Sequence, residues 1–324
     1  MLNIVGLGCA YPHTIIDNNF LLNWIDAAAV HDLEERSGIK KRASTLSLHY
    51  ISETANRNPE SALKNSVETP TELACRAVES ALAMAQIDRE KIGLIVSDCL
   101  TPWETIPAEA ARIGKALNVK VPCYDILGTG SALFFVDLLT KWRQDRIPDY
   151  SLFVTVSTPT QRVNYQTGCA GYYFGDCAVA IVVSKTESKG YSVIKSAYSI
   201  EKQEHITIGL YNHLQVDLDK SRQVILLRSE GLLQEVYGLQ DSMVVDPYFI
   251  LPQFESGLEQ RLRDQADIKS ENCLSVLAER GCCLAASGMA VLAQNVDNIA
   301  KGRPVLMIEA GPGSGYGYGV FLAQ

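Results

Sequence analysis

Short apolar runs over 92–96, 121–126 and 152–156 alternate with segments of helical periodicity, and this alternation constrains the fold more than any other feature of the chain. Each run has the length of a buried strand and is too short for a helix. A helical pattern over 108–117 lies between the first two runs, and an apolar helix over about 131–143 lies between the last two. Strand, helix, strand, helix, strand predicts a mainly parallel sheet with helices on its faces. Upstream, Thr69-Pro70-Thr71-Glu72 reads as a helix start. Thr69 caps, Pro70 suits the first helical position and Glu72 completes a capping box. Leu73, Ala74, Ala77, Val78, Ala81, Leu82 and Ala85 give that helix its apolar face. Asn3-Ile4-Val5-Gly6-Leu7-Gly8 reads as a buried strand entering a turn.

The second half repeats the style, with strands expected at 248–251 and 305–308 and helices at 254–265 and 284–299. Runs over 177–184 and 190–200 are neighbours in sequence and fit a hairpin, whereas 45–68 is polar and irregular and reads as a surface excursion. No Pro/Ser/Gly-rich stretch divides the 324 residues, so one body is expected.

The formal charge of −8 argues against a nucleic-acid binder, which needs a basic surface. Nine cysteines, an odd number set mostly in apolar runs, fit buried free thiols better than a disulfide framework. There is no Cys-x-x-Cys and the five histidines are scattered, so no metal site is expected, and no bound cofactor. With no basic segment leading into an apolar one at the start, and no apolar run of about 18 residues, neither a signal peptide nor a membrane span is expected, and the default location is cytoplasmic. Gly6-Leu7-Gly8-Cys9-Ala10-Tyr11 opens like a dinucleotide fingerprint, but Tyr11 stands at the third glycine, and a tight strand-end turn is the better reading.

Several segments, in order, carry a family resemblance. They are Gly6-Leu7-Gly8-Cys9-Ala10-Tyr11-Pro12, Arg36-Ser37-Gly38-Ile39, Ile92-Gly93-Leu94-Ile95-Val96, Phe174-Gly175-Asp176-Cys177-Ala178, Ala285-Ala286-Ser287 and Glu309-Ala310-Gly311. As an ordered set they resemble the type III β-ketoacyl-acyl-carrier-protein synthases. The resemblance implies the α/β thiolase fold, two similar halves in a five-layered αβαβα arrangement, with halves at 1–187 and 188–324. It also implies a dimer, an acyl thioester of CoA or acyl carrier protein as the ligand, and an active site between the halves. The family's nucleophile sits on the strand-to-helix turn near 130, where backbone N–H groups and the helix dipole favour an anion.

The family's condensing members use Cys, His and Asn, and this chain departs at all three positions. Gly130 stands at the nucleophile position, with Ser131 one residue beyond; Gln253 replaces the His and Cys282 replaces the Asn. Gly130 has no side chain to acylate, and Gln253 cannot exchange a proton near neutral pH. Among the residues that hold CoA in the family, the aromatic stacker corresponds to Asp32, Arg36 is kept, and a basic residue corresponds to Gly168. Cys169-Ala170-Gly171 is similar to the family's nucleophile motif in isolation but lies just before Phe174-Gly175-Asp176, outside the nucleophile turn.

Three functions stay open on the sequence. One is a non-catalytic partner subunit, paired with an active homologue through a loop at 102–107 that carries Trp103 and Ile106. Another is an acyltransferase of altered chemistry, with Ser131 or Cys282 as nucleophile, or direct transfer assisted by Gln253 and Glu255. The third is a binding protein for acyl ligands.

Overall fold

The computed structural model describes residues 1–167, 169–202, 205–209, 212–237 and 246–324. Its main sheet has ten strands: β1 (Asn3–Ala10), β2 (Ile92–Cys99), β3 (Cys123–Asp125), β4 (Tyr150–Ser157), β5 (Cys177–Ser184), β6 (Tyr191–Ile200), β7 (Tyr248–Ile250), β8 (Cys273–Leu274), β9 (Pro304–Ala310) and β10 (Gly315–Ala323). Their order is β8-β7-β9-β10-β6-β1-β5-β4-β2-β3. Outward from the centre, one half runs β1-β5-β4-β2-β3 and the other β6-β10-β9-β7-β8. Parallel and antiparallel neighbours also fall in the same places in both. The chain therefore writes one topology twice, although its residues show no clear repeat.

Six helices complete five layers: α1 (Pro70–Ala85), α2 (Glu109–Ala116), α3 (Ser131–Lys141), α4 (Leu218–Tyr237), α5 (Ser256–Gln265) and α6 (Ser287–Gln294). Leu73 and Ala77 of α1 and Ile113 of α2 pack with Ile95, Val154 and Ala180 on the outer face of the first half. Leu133 and Val136 of α3 and Met289 and Ala290 of α6 share a core with Val179, Ile181, Val305 and Met307, from both halves. Ile225 and Leu232 of α4 and Leu262 of α5 cover Phe249, Leu306 and Tyr318 on the other outer face. This is the thiolase arrangement that the resemblance implies.

Local chemistry explains where the elements begin. Thr69 Oγ1 accepts from the Glu72 N–H at 3.2 Å, and the Glu72 carboxylate accepts from the Thr69 N–H at 2.8 Å, so the expected capping box is present. The segment 45–68 is not the irregular excursion expected. It forms helices Leu48–Thr54 and Pro59–Asn65, capped by Ser47 and Asn58, and buries Leu46, Ile51 and Ala62. Helices of seven residues are too short for periodicity to reveal.

The expected hairpin is also corrected. β5 and β6 do not pair; β1 lies between them, bonded along β5 and, through Asn3 and Ile4, to Ser192 and Tyr191 of β6. β1 is buried on both faces and so belongs at the centre, and the β5–β6 connection crosses its start, where Asn3 Nδ2 donates to the Glu187 carbonyl at 2.7 Å. The sheet is accordingly mixed rather than mainly parallel. The short β9–β10 connection permits only an antiparallel return.

The packing of β1 under α1 rests on two glycines. A methyl carbon at Gly6 or Gly8 would drive into the backbone carbonyl of Ala81 or Ala77 on α1. Gly8→Ala is expected to destabilise the chain by roughly 1–3 kcal/mol, toward the upper end because the obstruction is backbone. A urea-unfolding midpoint unchanged from the parent would contradict this close-packing account.

Candidate functional site

The turn 128–131 leads into α3, as the nucleophile turn should. Gly130 takes φ +67° at the N-cap, a left-handed conformation that glycine adopts without strain. A Cβ built there would lie 3.3 Å from both Cβ and Oε2 of Glu309, and Gly288 leaves room for the other carboxylate oxygen. Glu309 thus stands against the position from which the family's nucleophile would project.

Gln253, Cys282 and Glu309 line one cavity together with Thr129, Phe254 and Leu284; it encloses about 30 Å³. That is room for a water or two rather than a pantetheine arm. Gln253 is committed to the framework: its Nε2 donates to the Leu251 carbonyl at 2.9 Å, and its Oε1 accepts from Ser275 Oγ at 2.8 Å and the Val276 N–H at 3.1 Å. Cys282 is held by its backbone to the Phe174-Gly175-Asp176 turn, donating to the Tyr173 carbonyl at 2.8 Å and accepting from the Gly175 N–H at 3.1 Å. Burial pushes its thiol up to about 12, which disfavours the thiolate that a nucleophile needs. α6 begins only at Ser287, beyond a 3-10 turn at Leu284–Ala286.

The other sequence-derived candidates lie outside this cavity. Ser131 is buried on the first turn of α3 beside Asp98, at the end of β2. Its hydroxyl has no hydrogen-bond partner among the described residues, so it is not a side-chain cap. Glu255 is not solvated: it is buried before α5, and both carboxylate oxygens accept from Arg222 Nε at 2.8 Å. That ion pair removes it as a base. Arg36 is exposed on the helix Ala27–Ser37, and its Nε donates to the Asp32 carboxylate at 2.8 Å, so the residue in the stacker's place also engages the retained cation. Cys169 belongs to the 3-10 turn Cys169–Tyr173 before β5, not to the head of α3. Gly168 lies outside the described residues.

Sequence reasoning missed two carboxyls. Asp98 and Glu309 are both buried, and none of their four carboxylate oxygens meets hydrogen-bond geometry with a partner among the described residues. Burial pushes Asp98 up to about 7, against the opposing influence of the nearby Ser131 hydroxyl and Gly128 N–H, while Asp125 adds to the rise. Burial likewise pushes Glu309 up to about 8, opposed by the Gly288 N–H and reinforced by Asp98. The sequence signal was present: each acid sits near the end of a strand that begins as an apolar run.

A second cavity of about 250 Å³, lined by Leu100, Leu127, Ile206 and Ile208, shares Thr129, Leu284 and Pro312 with the first. Among the described residues no group of three or more His, Cys, Asp or Glu side chains converges to hold a metal, and no helix is long and apolar enough to cross a membrane.

No family model matches the chain. A β-ketoacyl-acyl-carrier-protein synthase III of Clostridium botulinum is 24% identical over 211 residues, 64% of this chain and 58% of that protein. The 3-oxoacyl-acyl-carrier-protein synthase III of Aquifex aeolicus superposes with a TM-score of 0.83 at 20% identity, covering 99% of this chain and 100% of that one. The chain is thus similar to ketosynthase III proteins in sequence and shares their fold. The priming β-ketosynthase of the R1128 polyketide pathway shares the fold as well, with a TM-score of 0.83 at 18% identity over 100% of this chain and 96% of that one. The expected two-half fold is present, and Gln253, Cys282 and Glu309 line one cavity, with Gly130 against Glu309.

The two buried carboxyls set a pH dependence. Each keeps its proton to a higher pH folded than unfolded, so the folded chain binds more protons between the ordinary carboxylate range and about 8. Their contribution to stability is therefore complete below that range and is lost as pH rises through about 7 and about 8. Urea midpoints are expected to fall from pH 4 toward pH 8.5, and Asp98→Asn with Glu309→Gln to flatten that fall. An equal slope in the double variant would refute the assignment.

Proposed function

We propose that the chain is a non-catalytic ketosynthase III-like subunit of acyl or polyketide-type metabolism that pairs with a catalytically intact homologue. The observation that carries this reading is the occupation of the triad region by framework. Glu309 abuts Gly130 where a nucleophile would project, and every polar atom of Gln253 that bonds does so to Leu251, Ser275 or Val276. A group so tied cannot follow charge developing on a thioester oxygen.

The free edge of the sheet supports pairing. Among the described residues β3 bonds only to β2; Tyr124 on this strand and Leu127 just beyond it are 57% and 67% exposed, and Ile106, in the loop before α2, is 85% exposed. Trp103 is half-buried beside them in sequence. Asp125 stiffens the edge, accepting from Ser97 Oγ at 2.6 Å and from the Glu109 and Ala110 N–H groups of α2 at 2.8 and 2.9 Å. A rigid strand edge flanked by large apolar side chains suits strand-to-strand pairing with a similar edge. Ile106→Glu with Leu127→Glu is expected to weaken association with an intact ketosynthase III-like homologue about 10-fold or more, since exposed apolar anchors dominate such contacts. Light scattering and titration of the two purified chains read this directly; unchanged affinity would remove the edge from the interface.

One observation favours a second reading, an acyltransferase. Asp98 faces Ser131 at the head of α3, where a base was missing from the sequence argument. There Asp98 would take the Ser131 proton as Oγ bonds to a thioester carbonyl, and the departing sulfur would receive that proton as the C–S bond breaks. Intact-protein mass after incubation with acyl-CoA and acyl-carrier thioesters separates the two. The subunit reading expects no adduct. A stoichiometric acyl adduct on Ser131, abolished by Asp98→Asn and discharged by an acceptor, would replace it with the transferase.

A further inference from the structure

Behind the candidate pocket, three cysteines come together from separate parts of the chain. Cys9 lies near the end of β1, Cys177 opens β5, and Cys283 follows Cys282 in the loop before α6. Cys9 Sγ and Cys177 Sγ are 3.7 Å apart. In the β1–β5 ladder Cys9 is opposite Val179, so Cys177 lies two residues along the same face, at the strand end where side chains can close diagonally. Cys177 is fully buried, while Cys9 is half-buried. The Arg280 guanidinium lies over the Tyr11 ring at 4.2 Å, next to Cys9.

We propose that Cys9 and Cys177 form a reversible disulfide when the chain meets hydrogen peroxide. The cluster is thus a redox modification site, independent of either functional reading above. Cys9 is the sulfur oxidised first. The Cys177 thiol donates to it and the Arg280 charge and Tyr11 hydroxyl favour its anion, together holding it below the usual thiol range despite burial. Cys177 is pushed the other way, chiefly by burial, and keeps its proton. A sulfur that ionises more readily, next to one that keeps its proton, is the arrangement of an attacking and a resolving cysteine.

The chemistry balances. The Cys9 thiolate attacks a peroxide oxygen; the S–O bond forms, the O–O bond breaks, and hydroxide leaves and takes a proton to become water. Cys9 is now a sulfenic acid. Cys177 loses its proton as its sulfur attacks Cys9, the S–S bond forms, the S–O bond breaks, and a second water departs. Two thiols are oxidised and one peroxide is reduced. The sulfurs must move from 3.7 Å to about 2.05 Å, a closure that side-chain rotation and a small shift at the strand end supply. Cys177 follows directly on Asp176 of the turn whose Gly175 N–H bonds the Cys282 carbonyl, so the bridge pulls on the wall of the pocket.

The test is peptide mapping of the purified chain, without reduction, after titration with hydrogen peroxide. The expected result is one Cys9–Cys177 bridge, reversed by dithiothreitol. In Cys177→Ala the bridge is lost and Cys9 accumulates as a sulfenic acid that dimedone traps; in Cys9→Ser, Cys177 stays reduced. Thermal midpoints check that both variants fold, and Cys283→Ala, which keeps both partners, still forms the bridge. A Cys177–Cys283 bridge with Cys9 reduced, oxidation confined to other cysteines, or over-oxidation of Cys9 without a bridge would overturn the proposal.

Discussion

Where β1 lies beneath α1, the backbone has no space for a side chain, because Gly6 and Gly8 meet the carbonyls of Ala81 and Ala77. That contact fixes how close the first outer helix layer lies to the sheet. β1 is also the strand through which the halves are joined, since it bonds β5 on one side and β6 on the other. With β1 held, the order of the strands places α3 and α6 between the halves, and with them the turn at Gly130 and the loop at Cys282. The geometry of the candidate site thus descends from a packing contact made elsewhere.

Within the site, most polar groups are bonded into the framework. Gln253 ties Leu251 to the segment 275–276, Glu255 is clamped by Arg222, and Asp176 accepts from Thr45 and Thr160 through both backbone and hydroxyl groups. Asp98 and Glu309 are the exceptions, since their burial is not matched by partners among the described residues and favours the protonated form. Asp98, beside Ser131, is also the observation behind the acyl-transfer reading.

Much of the fold was legible because strong local signals agreed with the final structure. The capping box at Thr69 and Glu72, the apolar strand runs and the turn before Ser131 each act over a few residues. What was illegible depended on distant residues. Nothing in 177–200 says that β1 will be inserted between its two strands. The stripe of α4 is broken by Ser221, Arg228 and Ser229, which are buried because partners such as the Gly313 carbonyl await them. At the site, Gly130, Gln253 and Cys282 could be singled out along the sequence, but the place of Glu309 beside Gly130 and Gly288 could not, because these neighbours are remote in sequence.

Gly130, Gly288 and Glu309 form a steric interlock with a direction built into it. A cysteine at 130 meets the carboxylate of Glu309 and a backbone turned to φ +67°, and a side chain at 288 meets the same carboxylate from its other side. Shortening Glu309 first leaves a void between two glycines in a close-packed interior. Each single step toward a nucleophile at this turn therefore lowers stability before it can bring any chemistry. Packing alone therefore resists a side chain at this turn, whereas the exposed side chains Tyr124 and Leu127 at the β3 edge meet no comparable steric restriction.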